Sequence, residues 1–159
     1  MQYNDLTTRE WRRALGLGVA NGVALSIIML TMSKLGAPPL PKPLGLAFAE
    51  TLAGRSLPLP VGLLFHLAYV SFWSMAFVAV FRNRLTLLNA LILALVLWIV
   101  VLVVFFPFVG WGMFGLGVGP QLIVGAFIPH LLFGLFLWGL SRAIFPHTAQ
   151  SVSKMTMQR

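Results

Sequence analysis

Two histidines are the residues of this sequence with the most versatile chemistry, and both lie in apolar runs. His66 is part of FHLAYVSFW and His130 is part of PHLLFGLFLW. Each histidine is followed by leucine, by an aromatic residue at the third position and by phenylalanine at the sixth. A neutral imidazole can hydrogen-bond, ligate a metal or contact a polar ligand. His66 and His130 are therefore the candidate functional residues.

Three uses of these histidines fit the sequence. They can be structural and tie helices together by hydrogen bonds; Pro129 leaves the Gly125 carbonyl without its helical partner, which predicts an acceptor close to His130. They can contact a quinone or a lipid headgroup. They can also ligate haem b or a chlorin, with aromatic side chains packed on the macrocycle: Tyr69, Phe72, Phe133 and Phe136.

Two observations bear on a shared ligand. At 1.5 Å per residue, His66 lies about 7 Å and His130 about 13 Å from the outer ends of their expected helices. A difference of one turn weighs against both histidines binding one haem. Zinc and copper are disfavoured because no third or fourth protein ligand lies nearby in the sequence.

The chain has very few acidic residues and lacks cysteine. There is no cysteine, and the three acids all lie outside the apolar segments. Paired carboxylates, a Ser-His-Asp arrangement and a cysteine nucleophile are thereby excluded, as are the buried acids of a proton-coupled transporter. We therefore expect no enzymatic activity and no metal site made by the protein alone.

The composition is that of a membrane protein, with 59% hydrophobic and 9% charged residues among 159. Soluble domains carry about a quarter charged residues. Each apolar segment is near the ~20 residues that a bilayer requires. The sequence predicts an all-α membrane protein, a bundle of four transmembrane helices at about 14–33, 61–81, 86–106 and 121–142. The matching histidine runs, 64 residues apart, are also typical of a duplicated helical hairpin.

The basic residues predict the orientation. With four spans, both termini share one side with the 82–84 turn, and the two sides carry eight and three basic residues: Arg9, Arg12, Arg13, Arg82, Arg84, Arg142, Lys154 and Arg159 against Lys34, Lys42 and Arg55. Cytoplasmic loops are enriched in Lys and Arg. The protein is therefore expected to span a bacterial inner membrane with both termini in the cytoplasm. The expected domains are an N-terminal segment, 1–13, one transmembrane domain, 14–145, and a cytoplasmic tail, 146–159.

The two outer loops have different compositions. The loop 34–60 is proline-rich, and its segment Leu44 to Arg55 is expected to form a short surface helix with Glu50 facing water. The loop 110–120 is glycine-rich. It predicts a tight apolar turn, with Trp111 as an interfacial anchor.

The first helix carries a face of small residues. Ala14, Gly18, Gly22 and Ser26 recur every four residues, with Asn21 beside them. Such a face lets two helix backbones approach closely in lipid. Asn21 requires a hydrogen-bond partner there. The sequence leaves open whether this face meets the chain's own helices or another protein.

The segment GLGVANGVALSIIMLTMSKLGAPP resembles the opening of a group of small, uncharacterised four-helix bacterial membrane proteins. The resemblance extends over about 16–142 and implies the same fold and topology, but no known reaction. The second helix here has Val70 where such helices often have a small residue. The matching residues are Met29, Met32, Gly36, Pro38, Pro39, His66, Pro107, Gly110, Gly112, Gly115, His130, Gly134 and Leu135.

The function expected from these features is that of a non-catalytic accessory subunit, packed against a larger membrane complex of a bioenergetic type. The alternative is an electron carrier or pigment protein that binds haem b or a chlorin through His66 and His130. A small channel or transporter ranks third because the spans offer few polar groups. Nucleic-acid binding is not expected, since the basic residues follow the topology and do not form one patch.

Overall fold

The structure, a computed structural model, describes residues 6–36, 40–82 and 84–145. Within these ranges the chain is helical, without strands, and four of its helices are long and apolar enough to cross a membrane. This confirms the expected all-α four-helix bundle and a multi-pass membrane protein. Pro38, Pro39 and the tail 146–159 lie outside the described residues. The helices are α1 (Thr8–Lys34), α2 (Leu44–Ala53), α3 (Leu59–Phe81), α4 (Leu87–Phe108) and α5 (Gln121–Ile144).

Two of the helices begin earlier than their apolar segments. The hydroxyl of Thr7 accepts a hydrogen bond from the Glu10 N–H (3.3 Å), and the Glu10 carboxylate accepts one from the Thr7 N–H (2.8 Å). This capping box satisfies two free donors and starts α1 at Thr8. α3 begins at Leu59 because Pro60, in its first turn, needs no helical N–H partner.

The four long helices surround a common interior, but they are not evenly packed. α1 packs against α3 and α5, and α4 packs against α5, whereas α3 and α4 scarcely touch although they are consecutive. Each hairpin is thus packed within itself, as a duplication predicts. The two hairpins, α1 with α3 and α4 with α5, contact each other mainly through α1 and α5. The duplication stays a prediction. We call the weak contact between α3 and α4 the α3–α4 seam.

The small-residue face of α1 packs against α3 of the same chain. A Cβ atom on Gly18 would lie 2.6 Å from the Cα atom of Ser71, and one on Gly22 would lie 2.7 Å from the Leu67 side chain. Ala14 is fully buried on the same face. This close approach is at Ser71, next to Val70, the position where the resembling proteins often have a small residue. The face is therefore occupied within the chain.

Asn21 connects α1 to α5. Its side chain is fully buried, and its Nδ2 donates a hydrogen bond to the Phe133 carbonyl (3.4 Å). Its Oδ1 has no partner among the described residues. Asn21 therefore obtains the cross-helix partner that lipid requires through one of its two polar atoms.

The bundle contains two apolar core clusters. At the end where α1 begins, Phe77 and Leu137 are fully buried, and Arg82 forms an ion pair with Glu10 (2.5 Å). At the other end, Phe106 is buried among residues of α4 and α5. We call this second end the α2 end, since α2 covers it.

The glycine-rich loop forms the tight turn that its composition predicts. Gly110, Gly112 and Gly115 have positive φ angles, which favour glycine. The Trp111 N–H donates to the Phe106 carbonyl (2.8 Å), and the two rings pack with centroids 5.3 Å apart. The loop thus folds back on the last turn of α4.

Candidate histidine-lined cavity

One cavity at the α2 end contains both histidines. It has a volume of about 460 Å³ and receives side chains from all five helices. Ser26, His66 and His130 are among its polar lining groups, and no Asp, Glu, Lys or Arg lines it in the described part of the chain. The fold thus brings together two histidines that are 64 residues apart in sequence.

His130 is held by the helix that carries it. Its Nδ1 lies 2.7 Å from the carbonyl oxygen of Ala126, one turn earlier in α5. A carbonyl only accepts, so Nδ1 carries the proton and the neutral ring has an unprotonated Nε2. The sequence predicted an acceptor near His130, but at Gly125. The acceptor is one residue further on because helical side chains point back toward the preceding turn.

His66 is held by a neighbouring helix. Its Nδ1 lies 3.0 Å from Oγ of Ser26, the last member of the small-residue face of α1. Either atom can be the donor, because a hydroxyl donates and accepts. The contact fixes the plane of the imidazole and joins α1 to α3 at the cavity wall.

In both histidines, Nε2 is the ring nitrogen that makes no hydrogen bond to the described residues. Neither Nε2 has a hydrogen-bond partner in the part of the chain that the structure describes. His66 lies seven residues after the start of α3 and His130 nine residues after the start of α5. Counted from these starts at 1.5 Å per residue, the two positions differ by about 3 Å. This is less than the expected one turn because α3 begins at Leu59 and not at 61.

The aromatic residues beside the histidines divide into two pairs. Tyr69 and Phe133, at the third position after each histidine, line the cavity. Phe72 is 62% exposed on the bundle surface, and Phe136 packs in the core at the opposite end. The expectation that all four pack on a ligand is therefore wrong for Phe72 and Phe136.

An aromatic cluster bridges the α3–α4 seam next to the cavity, at the α2 end. The rings of Tyr69 on α3 and Phe105 on α4 meet edge to face with centroids 5.6 Å apart. Phe48 of α2 packs on Phe105 (5.3 Å) and on Phe65 of α3 (5.9 Å). Side-chain rings thus bridge two helices whose backbones scarcely touch.

A π-helical turn presents Phe105 to this cluster. Residues Val101–Phe105 of α4 form the turn, and the Phe106 N–H donates to the Val101 carbonyl. Pro107 follows and cannot donate a backbone hydrogen bond, which weakens the regular α-helical pattern there. Such turns occur frequently at functional sites. Pro107 was the only sequence signal for this irregularity, and it was interpreted only as a helix end.

α2 covers the cavity through a contact between two glycines. A Cβ atom on Gly45 would lie 2.5 Å from the Gly62 carbonyl oxygen and 3.1 Å from the backbone nitrogen of His66. One on Gly62 would lie 2.5 Å from the Leu46 Cβ. The expected short helix is present, and it rests directly on the turn of α3 that holds His66.

Glu50 binds the segments that precede and follow α2. Its carboxylate pairs with Lys42 before α2 (2.6 Å) and accepts a hydrogen bond from the Leu57 N–H after it (3.1 Å). Its side chain is 16% exposed, so the expected surface acid is present but keeps only part of its contact with water. The hydrogen bond and charge of Lys42, with the Leu57 N–H, hold the pKa of Glu50 below its ordinary value of 4.5.

We expect acid to release this fastening. Because the pKa of Glu50 is lowered by folding, its stabilising contribution is present above the ordinary value of 4.5 and is lost as the pH falls through the lowered pKa. Glu50→Gln should remove most of this pH dependence, measured as hydrogen exchange of α2 amides between pH 3 and pH 7. An acid-induced increase of equal size in the Glu50→Gln variant would contradict the assignment.

The fold and the cavity together define a class: a multi-pass, all-α membrane protein with two histidines in one apolar cavity. Comparison with protein-family models, with curated proteins and with solved structures gives no match to this chain.

Proposed function

We propose that this protein binds an apolar small molecule in the histidine-lined cavity and holds it within the membrane without catalysing a reaction. One observation carries the proposal: His66 and His130 each use Nδ1 on the protein and leave Nε2 without a partner, in the same cavity. Neither Nε2 is among the fully buried unpartnered atoms of the described residues, so each remains accessible to a bound molecule.

The cavity has the size and lining of a ligand site. Its volume of about 460 Å³ lies within the range of about 300–1,000 Å³ that is typical of small-molecule pockets. Its walls are mainly aliphatic and aromatic, with a few polar groups that could orient a ligand. The hydroxyl of Tyr69, on the same wall, is also buried without a hydrogen-bond partner among the described residues.

The absence of reaction is proposed from the side chains near the cavity. The acid closest to it in the fold, Glu50, is committed to Lys42 and to the Leu57 N–H. No other carboxylate belongs to α2 or to the helices that supply the histidines. The excess of basic residues at the end with the termini supports a location in a bacterial inner membrane with both termini in the cytoplasm.

A bulky side chain in the cavity should displace the ligand. Met29 of α1 lines the cavity, whereas Met32 of the same helix is 41% exposed on the outside. We expect Met29→Trp to lose the bound molecule and Met32→Trp to keep it. The measurement is mass spectrometry of the small molecules extracted from each variant after purification in polymer-bounded native lipid discs.

The matched pair separates occupancy from general damage. Both variants receive tryptophan in place of methionine on one helix, and both should retain the helical circular dichroism of the wild type. If wild type, Met29→Trp and Met32→Trp carry the same molecules in the same amounts, the cavity is not a ligand site.

A second candidate, the accessory subunit, is supported by the α3–α4 seam. The seam is the place where consecutive helices scarcely touch, so a helix of another protein could pack there. The small-residue face of α1 no longer supports this candidate, since α3 occupies it. Co-purification in mild detergent tests it: an accessory subunit of a bioenergetic complex should migrate with larger proteins, and a chain that migrates alone counts against it.

The proposed channel or transporter has less support. Asn21 is directed to the Phe133 carbonyl, and Asn89 donates to the Arg84 carbonyl at the end of the bundle where α4 begins. Gln121 is exposed at the first residue of α5. These polar side chains therefore do not line one path.

A further inference from the structure

Resting on the proposed function, we infer that the ligand is a metal-centred tetrapyrrole, bound axially through Nε2 of His130 and, across the ring, through Nε2 of His66. Haem b and a magnesium chlorin share this chemistry.

The state of His130 restricts the ligand. Its Nδ1 proton is directed at the Ala126 carbonyl, so the neutral ring offers only a lone pair at Nε2. A ligand carbonyl, such as that of a quinone, requires a donor and gains nothing from this atom. A metal ion accepts a lone pair directly, and metal-binding histidines usually donate their other ring N–H to a carbonyl in this way.

His66 has the same arrangement with a different partner. When its Nδ1 donates to Ser26 Oγ, its Nε2 also offers only a lone pair. The Ser26 hydroxyl then has the role that the Ala126 carbonyl has for His130, an outer partner that orients a ligating imidazole. Both histidines line one cavity, and the inference requires their Nε2 atoms to face each other across one metal.

The remaining ligands of the metal must belong to the bound molecule and not to the protein. No group of three or more His, Cys, Asp or Glu side chains that could hold a metal is present in the described residues. Two histidines alone do not complete the tetrahedral site of zinc. A tetrapyrrole supplies four nitrogens in a plane and needs only axial ligands from the protein, which histidine commonly provides.

The cavity walls fit a flat apolar ring. Phe133 beside His130 and Tyr69 beside His66 present aromatic surfaces, and Val101 and Phe105 of the π-helical turn complete the wall on α4. No Asp, Glu, Lys or Arg side chain in the described chain lines the cavity. A macrocycle would therefore replace lipid contacts with protein contacts at little desolvation cost to the walls.

Titration of the purified, full-length protein with haemin, and separately with a magnesium chlorin, tests the inference. We expect saturation at one tetrapyrrole per chain. With haemin, we expect the absorption spectrum of low-spin iron with two imidazole ligands. His130→Ala and His66→Ala should each abolish that low-spin spectrum, and Ser26→Ala should weaken binding about 10-fold as an outer partner.

Two variants control for folding and for histidine in general. His130→Gly should again retain one haemin per chain on size-exclusion chromatography when free imidazole is added, which a misfolded protein would not do; co-elution is the readout because imidazole alone makes free haemin low-spin. His147→Ala removes the third histidine of the sequence and should bind like the wild type.

The outcomes separate this inference from the proposed function. Saturable binding of either tetrapyrrole that depends on His130 and His66 supports the inference, and the tighter of the two identifies haem or pigment chemistry. Binding that both alanine variants retain overturns it. If neither tetrapyrrole binds while the Met29→Trp variant still loses another bound molecule, the inference fails and the proposed function stands.

Discussion

Gly18→Leu is expected to force α1 away from α3 and to lower the free energy of unfolding by about 3 kcal/mol. The reason is that a Cβ atom on Gly18 would lie 2.6 Å from the Ser71 Cα and 3.0 Å from its carbonyl oxygen. These are backbone atoms, so no side-chain rotation can relieve the clash. Asn21 would also move away from the Phe133 carbonyl, its only hydrogen-bond partner among the described residues.

Gly16→Leu is the matched control for this substitution. Gly16 lies on the same helix, two residues earlier, and a Cβ atom there would have nothing within 4 Å. We expect its free energy of unfolding to be within about 0.5 kcal/mol of the wild type, as for surface substitutions in general. Unfolding by SDS in mixed micelles, followed by circular dichroism, measures both. Equal stabilities of the two variants would contradict the packing of α1 on α3.

Gly62→Val is expected to lift α2 from the cavity. A Cβ atom on Gly62 would meet the Cβ, Cα and nitrogen of Leu46 at 2.5–2.8 Å, so the backbone of α2 must shift. Overpacking of this kind costs about 1–3 kcal/mol. Since α2 is a short helix at the edge of the bundle, local detachment should relieve the strain before the four long helices separate.

The absence of native cysteine makes this shift measurable. Ala47 is a buried residue of α2, so Ala47→Cys should react slowly with a maleimide in the otherwise unchanged protein. The added Gly62→Val substitution should raise the rate by roughly 10-fold, which corresponds to about 1.4 kcal/mol of local opening. Gly139→Val is the control, since a Cβ atom on Gly139 has open space. A rate that Gly62→Val leaves unchanged would show that α2 does not rest on Gly62.

The four spans could be predicted from the sequence because lipid imposes a length and a composition on each of them. The early start of α1 was also visible in principle, as threonine at position 7 with glutamate three residues later is the sequence signature of a capping box. The small-residue face was recognised from its spacing of four. Its partner was not, because the alignment of Gly18 with Ser71 depends on how far α1 and α3 slide past each other.

The cavity could be predicted only in part. The sequence identifies His66 and His130, but their common cavity depends on how α2 and the π-helical turn pack beside the α3–α4 seam, which local sequence does not report. The error at Phe72 and Phe136 has a simple geometric cause. At 100° per residue, the third position after a histidine lies about 60° from it around the helix, and the sixth lies about 120° away.

The glycine contacts of α2 were missed for a related reason. The sequence predicts Gly45 as part of a water-facing surface helix and Gly62 as one residue of a span. Only the three-dimensional arrangement shows that the two meet and that Glu50 fastens the segment between Lys42 and Leu57. Contacts that join residues from separate loops and helices are set by tertiary packing, which local periodicity does not report.

X-ray diffraction from protein purified without delipidation would image the cavity together with any molecule that the membrane supplied. We expect continuous density for one small molecule between His66 and His130, with Nε2 of each histidine directed at it and Nδ1 still on Ser26 and on the Ala126 carbonyl. A cavity collapsed by inward movement of the helices, or histidines whose Nε2 atoms are bonded to the protein, would contradict this expectation.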